Sequence, residues 1–171
     1  MQKLFSWKPG EQSDILILYI MRHGEAEPKT AADSERHLTK PGEEQVRRSL
    51  AIASGLGTLV DEIVTSPILR ARETAEIARE VLGMPNVIVN LVLRSDSSSI
   101  EVFRELRELN KTGILLVSHQ PLVSELISSL LSWHDESFIV RPGTIVKIEV
   151  EDLSKDPPFG RLIFFLPPPT G

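Results

Sequence analysis

Three short segments of this 171-residue chain carry the side chains best suited to chemistry. Arg22-His23-Gly24-Glu25 follows the apolar run Ile15–Met21, Ser66-Pro67 with Arg70 follows Glu62–Thr65, and Ser118-His119 follows Ile114–Val117. Guanidinium groups make paired hydrogen bonds to the oxygens of a phosphoryl group. An imidazole with one unprotonated ring nitrogen is a competent nucleophile toward phosphorus. Free histidine has a pKa of about 6.5, and neighbouring cations lower it. Arg22 and Arg70 are therefore expected both to hold a phosphoryl group and to keep His23 neutral. His119 is suited to donate a hydrogen bond to a phosphoryl oxygen as charge redistributes in the transition state.

The elements around these segments explain how they could meet. Ile15–Met21 is a continuous apolar run rich in β-branched residues, as in a strand buried on both faces of a parallel sheet. Thr39 and Pro41 predict a helix start, with Val46, Leu50, Ala53 and Leu56 on its buried face and Gly55 and Gly57 at its end. Glu62–Thr65 reads as a strand. Pro67 is expected to open a helix with a face of Ala71, Ala75, Ala78 and Leu82, stopped by Gly83 and Pro85. A strand is predicted over 87–93. Ser98 and Glu101 have capping-box spacing before a helix carrying Val102, Phe103, Leu106 and Leu109. Ile114–Val117 is another apolar strand. Pro121 starts a helix with Leu122, Leu126, Leu130 and Trp133, and the Leu130–Trp133 stripe is expected in the core. Thr144–Val150 and Leu162–Leu166 close the chain as strands. Alternating strands and helices imply an α/β sandwich around a mostly parallel sheet. Ligands in such sheets bind beyond the carboxyl ends of the strands, which is where all three segments fall. The helices beginning near Pro67 and Pro121 direct their N-termini at the same rim, a setting that favours anions.

At this point Leu18-Tyr19-Ile20-Met21-Arg22-His23-Gly24-Glu25 resembles the signature of the histidine phosphatase superfamily. The segment from Ser66 to Ala75 resembles its second motif and Val117-Ser118-His119-Gln120-Pro121 its third, in the same order, so that the resemblance spans roughly residues 15–166. It implies a three-layer α/β/α sandwich of the phosphoglycerate mutase-like type. It also implies that His23 takes the phosphoryl group as a phosphohistidine later attacked by water. Arg22, Arg70 and His119 would complete the phosphate pocket, with no metal or other cofactor. Within the superfamily the chain is most similar to SixA-like phosphohistidine phosphatases. Arg36-His37-Leu38-Thr39 followed by Gly42 resembles an element of that group. Only 44 residues separate Thr74 from His119, leaving little room for a large cap insertion. An uncapped site would admit a phosphorylated side chain on a folded protein. Larger members carry a glutamate general acid after the third strand. The corresponding stretch, Leu93–Ser98, offers only Asp96. An alkoxide leaving group needs a proton, so this departure favours cleavage of a P–N bond.

Each residue also has a plain structural reading. His23 could be a loop histidine satisfied by backbone, Arg70 a solvated helix arginine, and His119 a strand-end residue. Their coincidence at one rim argues against these readings. A metal between His23 and His119 is disfavoured because Ser118 and Gln120 are poor ligands and two arginines repel a cation. Arg36 is either a phosphate-loop contact or a surface residue paired with Glu35. Asp96 is a candidate general acid or a loop or N-cap residue. Ser66 is expected to cap the helix or orient the loop, and His37 and His134 to lie on the surface.

Bulk properties narrow the field. The net charge of −5 disfavours general nucleic-acid binding, and there is no basic run for anionic membranes. With no cysteine, thiolate catalysis and cysteine–zinc sites are excluded. Ile15–Met21 is too short to span a bilayer, and no signal peptide is read. The expectation is an N-terminal extension over 1–13 and a single catalytic domain over 14–171, cytoplasmic, a monomer or weak dimer. Its partner would be a phosphorylated protein of the histidine phosphotransfer type or a small phospho-substrate. Two alternatives stand: a small-molecule or phosphoprotein phosphomonoesterase of the same superfamily, and a non-catalytic phosphate- or phosphoprotein-binding module. A nucleotide-binding domain fits less well, because the loop after the first strand lacks a glycine-rich cradle.

Overall fold

A computed structural model describes residues 15–29, 33–109, 111–133, 138–156 and 158–169. The elements run β1 (Leu16–Arg22), α1 (Lys40–Gly55), β2 (Glu62–Thr65), α2 (Leu69–Leu82), β3 (Ile88–Val89), α3 (Ser99–Leu109), β4 (Gly113–Ser118), α4 (Leu122–Leu131), β5 (Ile145–Asp152) and β6 (Phe159–Leu166). They form a six-stranded sheet in the order β3-β2-β4-β1-β5-β6. The first four strands in that order are mutually parallel, while β5 and β6 are antiparallel additions at one edge.

Alternation along β1 assigns the two faces. Leu18 and Ile20 pack with Val102, Phe103, Leu106, Leu122 and Leu126 of α3 and α4. Tyr19 and Met21 pack with Val46, Leu50, Ala71 and Ala75 of α1 and α2. The small Ala71-Ala75-Ala78 face, fully buried, suits the close approach of α2 to the sheet and to α1. This is the three-layer α/β/α sandwich that the alternation of elements predicts. Burial on both sides explains why β1 and β4 read as unbroken apolar runs.

Local chemistry sets the helix starts. Thr39 caps α1 by accepting from the Gly42 amide at 3.0 Å. Ser98 and Glu101 form the reciprocal capping box, with the Ser98 amide donating to Glu101 at 2.9 Å and the Glu101 amide to Ser98 Oγ at 3.4 Å.

Four expectations are corrected. Leu56, expected on the buried face of α1, is its C-cap and is exposed, because the helix ends at Gly55. The strand expected over 87–93 is only Ile88–Val89. Asn90 accepts from the Val92 amide and turns Leu91–Leu93 into a 3₁₀ segment. Helix α2 starts at Leu69 with Ile68 as N-cap, two residues after Pro67. Trp133 lies beyond α4 and is 45% exposed, packed edge-on against Phe138, whereas Leu130 is fully buried. Residues 1–13 and His134 lie outside the described residues. Among the described residues no helix is long and apolar enough to cross a membrane.

Candidate active site

The carboxyl ends of β1, β2 and β4 are stitched together by backbone. The His23 amide donates to the Ser118 carbonyl at 3.1 Å, and the Ser66 amide to the Val117 carbonyl at 3.0 Å. This register carries Arg22, His23, Ser66, Ser118 and His119 to one rim, and α2 adds Arg70 one turn in. A cavity of about 390 Å³ opens there, lined by Arg22, His23, Arg70 and His119 together with Glu25, Lys29, Asp33, Arg36, Ser95 and Gln120.

His23 is buried and held at both ring nitrogens. Nδ1 lies 2.7 Å from the Gly24 carbonyl oxygen. A carbonyl only accepts, so Nδ1 bears the proton. The lone pair is therefore on Nε2, which accepts from Arg70 Nε at 3.1 Å. The ring sits 5.0 Å from that of His119, centroid to centroid. The His23 pKa is pushed down to about 3, first by burial, with Arg70, Arg22 and Arg36 adding to the effect. The sequence reading gave that role to the arginines. Loss of solvent is the larger cause, because a charged ring forfeits its hydration in this pocket. His119 is lowered to about 3 in the same way, by burial and then by His23 and Arg70.

Glycines allow the loop after β1 to fold this tightly. A Cβ on Gly24 would stand 2.6 Å from Val46 Cγ2, and one on Gly42 only 2.0 Å from the Glu25 carbonyl oxygen. Backbone here packs directly on the first turn of α1. The Gly24 amide donates to Thr74 Oγ1 at 3.1 Å, and Thr74 donates in turn to the Arg70 carbonyl at 2.8 Å. The loop carrying His23 and helix α2 carrying Arg70 are thus tied through one threonine.

The remaining expectations divide. Arg22 anchors through Nη1 to the Val140 carbonyl at 2.7 Å, leaving its buried Nε without a partner. Arg36 lines the cavity, but its acidic partner is Asp33 at 2.7 Å, not Glu35. Three residues of helical turn bring Asp33 beneath Arg36, while Glu35 points into solvent. Ser66 makes no helix cap, but its Oγ accepts from the Ile68 amide at 3.4 Å in the loop before α2, the other role expected of it. Its Oγ meets His119 Nε2 at 2.8 Å. Asp96 is not brought to the site: it is exposed and paired with Arg94 at 3.2 Å, outside the cavity lining. His37 is exposed as expected, with Nδ1 2.6 Å from Glu73 Oε1. Glu73 also accepts from the Leu38 amide at 2.7 Å, pinning the Arg36–Thr39 stretch to α2.

Sequence reasoning missed Asp33, Thr74 and Glu73. Asp33 accepts from Arg70 through both its carbonyl, at 2.7 Å, and its carboxylate, at 3.1 Å. The three-residue spacing of Asp33 and Arg36 was the available signal. Thr74 and Glu73 lie in the segment that resembles the second motif, but their partners lie in loops whose path sequence does not specify. Among the described residues no cluster of three or more metal-binding side chains occurs.

The arrangement offers an anion a neutral imidazole nucleophile, two or three guanidiniums and unpaired buried donors. Comparison with known proteins places the chain in a family. The histidine phosphatase superfamily (branch 1) matches residues 18–93. Phosphohistidine phosphatase SixA of Escherichia coli is 32% identical over 119 residues, covering 66% of this chain and 73% of that protein. The phosphohistidine phosphatase SixA homolog of Haemophilus influenzae is 32% identical over 124 residues, covering 66% and 76%. A solved structure of the protein histidine phosphatase SixA with tungstate superposes with a TM-score of 0.79 at 25% identity, covering 90% of this chain and 97% of that one. The chain belongs to the histidine phosphatase superfamily and is a phosphatase of its branch 1.

Proposed function

We propose that this phosphatase hydrolyses phosphohistidine, on a histidine-phosphorylated protein or a related phosphoramidate, through a phosphoryl group carried on His23. The observation that carries the reading is the His23 tautomer: the Nδ1 proton is committed to Gly24, and the Nε2 lone pair lies at the arginine-lined cavity. In the first step Nε2 attacks phosphorus, the P–N bond to the substrate imidazole breaks, and its electron pair leaves on that nitrogen. The ring gains positive charge as it is phosphorylated, and the Gly24 carbonyl at Nδ1 stabilises it. Arg22 and Arg70 hold the equatorial oxygens. Water then attacks the phosphorus, freeing phosphate and restoring Nε2.

Two features support a P–N substrate. The relatives from Escherichia coli and Haemophilus influenzae are named phosphohistidine phosphatases. Asp96, the carboxylate considered for leaving-group protonation, stands outside the cavity. The described residues between α2 and β4 form β3, the 3₁₀ segment and α3, and of them Ser95 lines the cavity, an arrangement that suits access by a protein-borne phosphoryl group. Such an enzyme would serve phosphotransfer signalling in the cytoplasm. A phosphomonoesterase is the second reading. The mitochondrial serine/threonine-protein phosphatase Pgam5 of Drosophila ananassae, 31% identical over 84 residues, supports it. A substrate panel decides: kcat/KM for a phosphohistidine protein should exceed that for phosphoserine, phosphotyrosine and sugar phosphates. A higher value for any phosphomonoester would favour the second reading.

A further inference from the structure

We propose that Ser66 is a positioning residue that fixes the tautomer of His119, so that His119 presents an Nδ1 proton to the phosphoryl group. The inference rests on the phosphatase reading of the cavity and adds a residue to its machinery.

A proton count carries it. Ser66 and His119 are both buried, at 0% and 2% exposure. Ser66 Oγ lies 2.8 Å from His119 Nε2 and accepts from the Ile68 amide at 3.4 Å. Among the described residues the hydroxyl has no other acceptor than His119 Nε2. If Ser66 donates to Nε2, both of its roles are filled, and the ring proton must sit on Nδ1. If Nε2 instead carried the proton, the Ser66 hydroxyl hydrogen would be buried with no acceptor, at a cost of about 1–3 kcal/mol. The Nδ1 lone pair would then face the oxygens of a bound phosphoryl group. Nδ1 is buried and has no partner, as expected of a donor reserved for a ligand.

The arrangement makes His119 complementary to His23. Both bear the proton on Nδ1, but His23 spends it on Gly24 and offers a lone pair, whereas His119 offers the proton. Burial lowers the pKa of both rings to about 3, so each is neutral at working pH and the tautomer decides its role. A neutral histidine in water favours the Nε2 proton. Ser66 is the group that reverses this preference.

The test is a long-range ¹H–¹⁵N spectrum of the full chain, labelled in its four histidines, at pH 7.5 without substrate. His119→Gln identifies the His119 signals. The wild-type protein should show a protonated Nδ1 and a bare Nε2 at His119. A protonated Nε2, alone or with Nδ1, would overturn the proposal. Ser66→Ala should populate the Nε2–H form and lower kcat about tenfold to a hundredfold while KM moves less than about threefold. Ser66→Thr, which keeps the hydroxyl, should restore both the tautomer and kcat to within about threefold. An unchanged tautomer in Ser66→Ala would also overturn it. The tautomer is read without turnover, so failure of the phosphohistidine reading would leave this result standing, and the reverse.

Discussion

Arg70 Nε donates to His23 Nε2 at 3.1 Å while Nη1 and Nη2 of the same guanidinium donate to the Asp33 carbonyl at 2.7 Å and its carboxylate at 3.1 Å. One side chain therefore sets the orientation of the His23 ring and lines the cavity proposed to take the phosphoryl group. Lysine keeps the charge but has neither the Nε donor nor the planar fork. Arg70→Lys should lower kcat/KM about a hundredfold, with circular dichroism unchanged. Retention of activity within a few-fold would mean that charge alone suffices.

Burial of two neutral histidines has a thermodynamic consequence. In the folded protein His23 and His119 protonate only near pH 3, whereas in the unfolded chain they do so near pH 6.5. Below about 6.5 the unfolded state binds more protons, so stability present above that pH is lost as pH falls toward about 3. Each ring contributes a slope of up to about 1.4 kcal/mol per pH unit. Thermal unfolding in dilute, phosphate-free buffer should show Tm falling from pH 6.5 to 4.5, and His119→Gln should reduce that fall. His37, whose pKa is raised by its bond to Glu73, acts in the opposite sense: its stabilisation is full below about 6.5 and fades above.

Gly42 gives the nucleophile loop its path. Its missing side chain leaves room for the Glu25 carbonyl, which a Cβ would meet at 2.0 Å. Gly42→Ala should cost about 1–3 kcal/mol in denaturant unfolding, despite the better helix propensity of alanine. It should also lower kcat by displacing residues 23–25. No loss of stability would show that the loop can move away freely.

Asp96 tests the leaving-group argument. It is exposed, paired with Arg94 and outside the cavity. Asp96→Asn should leave kcat for phosphohistidine within about twofold, as for surface substitutions generally. A fall of about a hundredfold would identify it as a general acid.

Much of this site was legible before any coordinates. β1 and β4 announce themselves as parallel, doubly buried strands because Leu16–Met21 and Ile114–Val117 are unbroken apolar runs, and the residues after them are fixed at strand ends by chain connectivity. The placement of His23 and His119 at one rim follows from the strand pattern, and that of Arg70 from the helix after β2. Distances and partners do not. Asp33, Thr74 and Glu73 act across loops, and which of Asp33 and Glu35 meets Arg36 depends on one turn of 3₁₀ helix. Val87–Leu93 has strand composition throughout, yet only Ile88–Val89 pairs, because the Asn90 side chain accepts from the Val92 amide and turns the chain. The helical stripe predicts a buried Trp133, but Ser132, at φ 53°, ends α4 one residue before it.

The central claim is that His23 Nε2 attacks phosphorus. Its most direct test is the turnover of a phosphohistidine protein by His23→Ala beside the wild-type enzyme. Loss of a nucleophile should lower kcat by at least about a thousandfold, with the variant still folded. Turnover by His23→Ala equal to wild type would contradict the account.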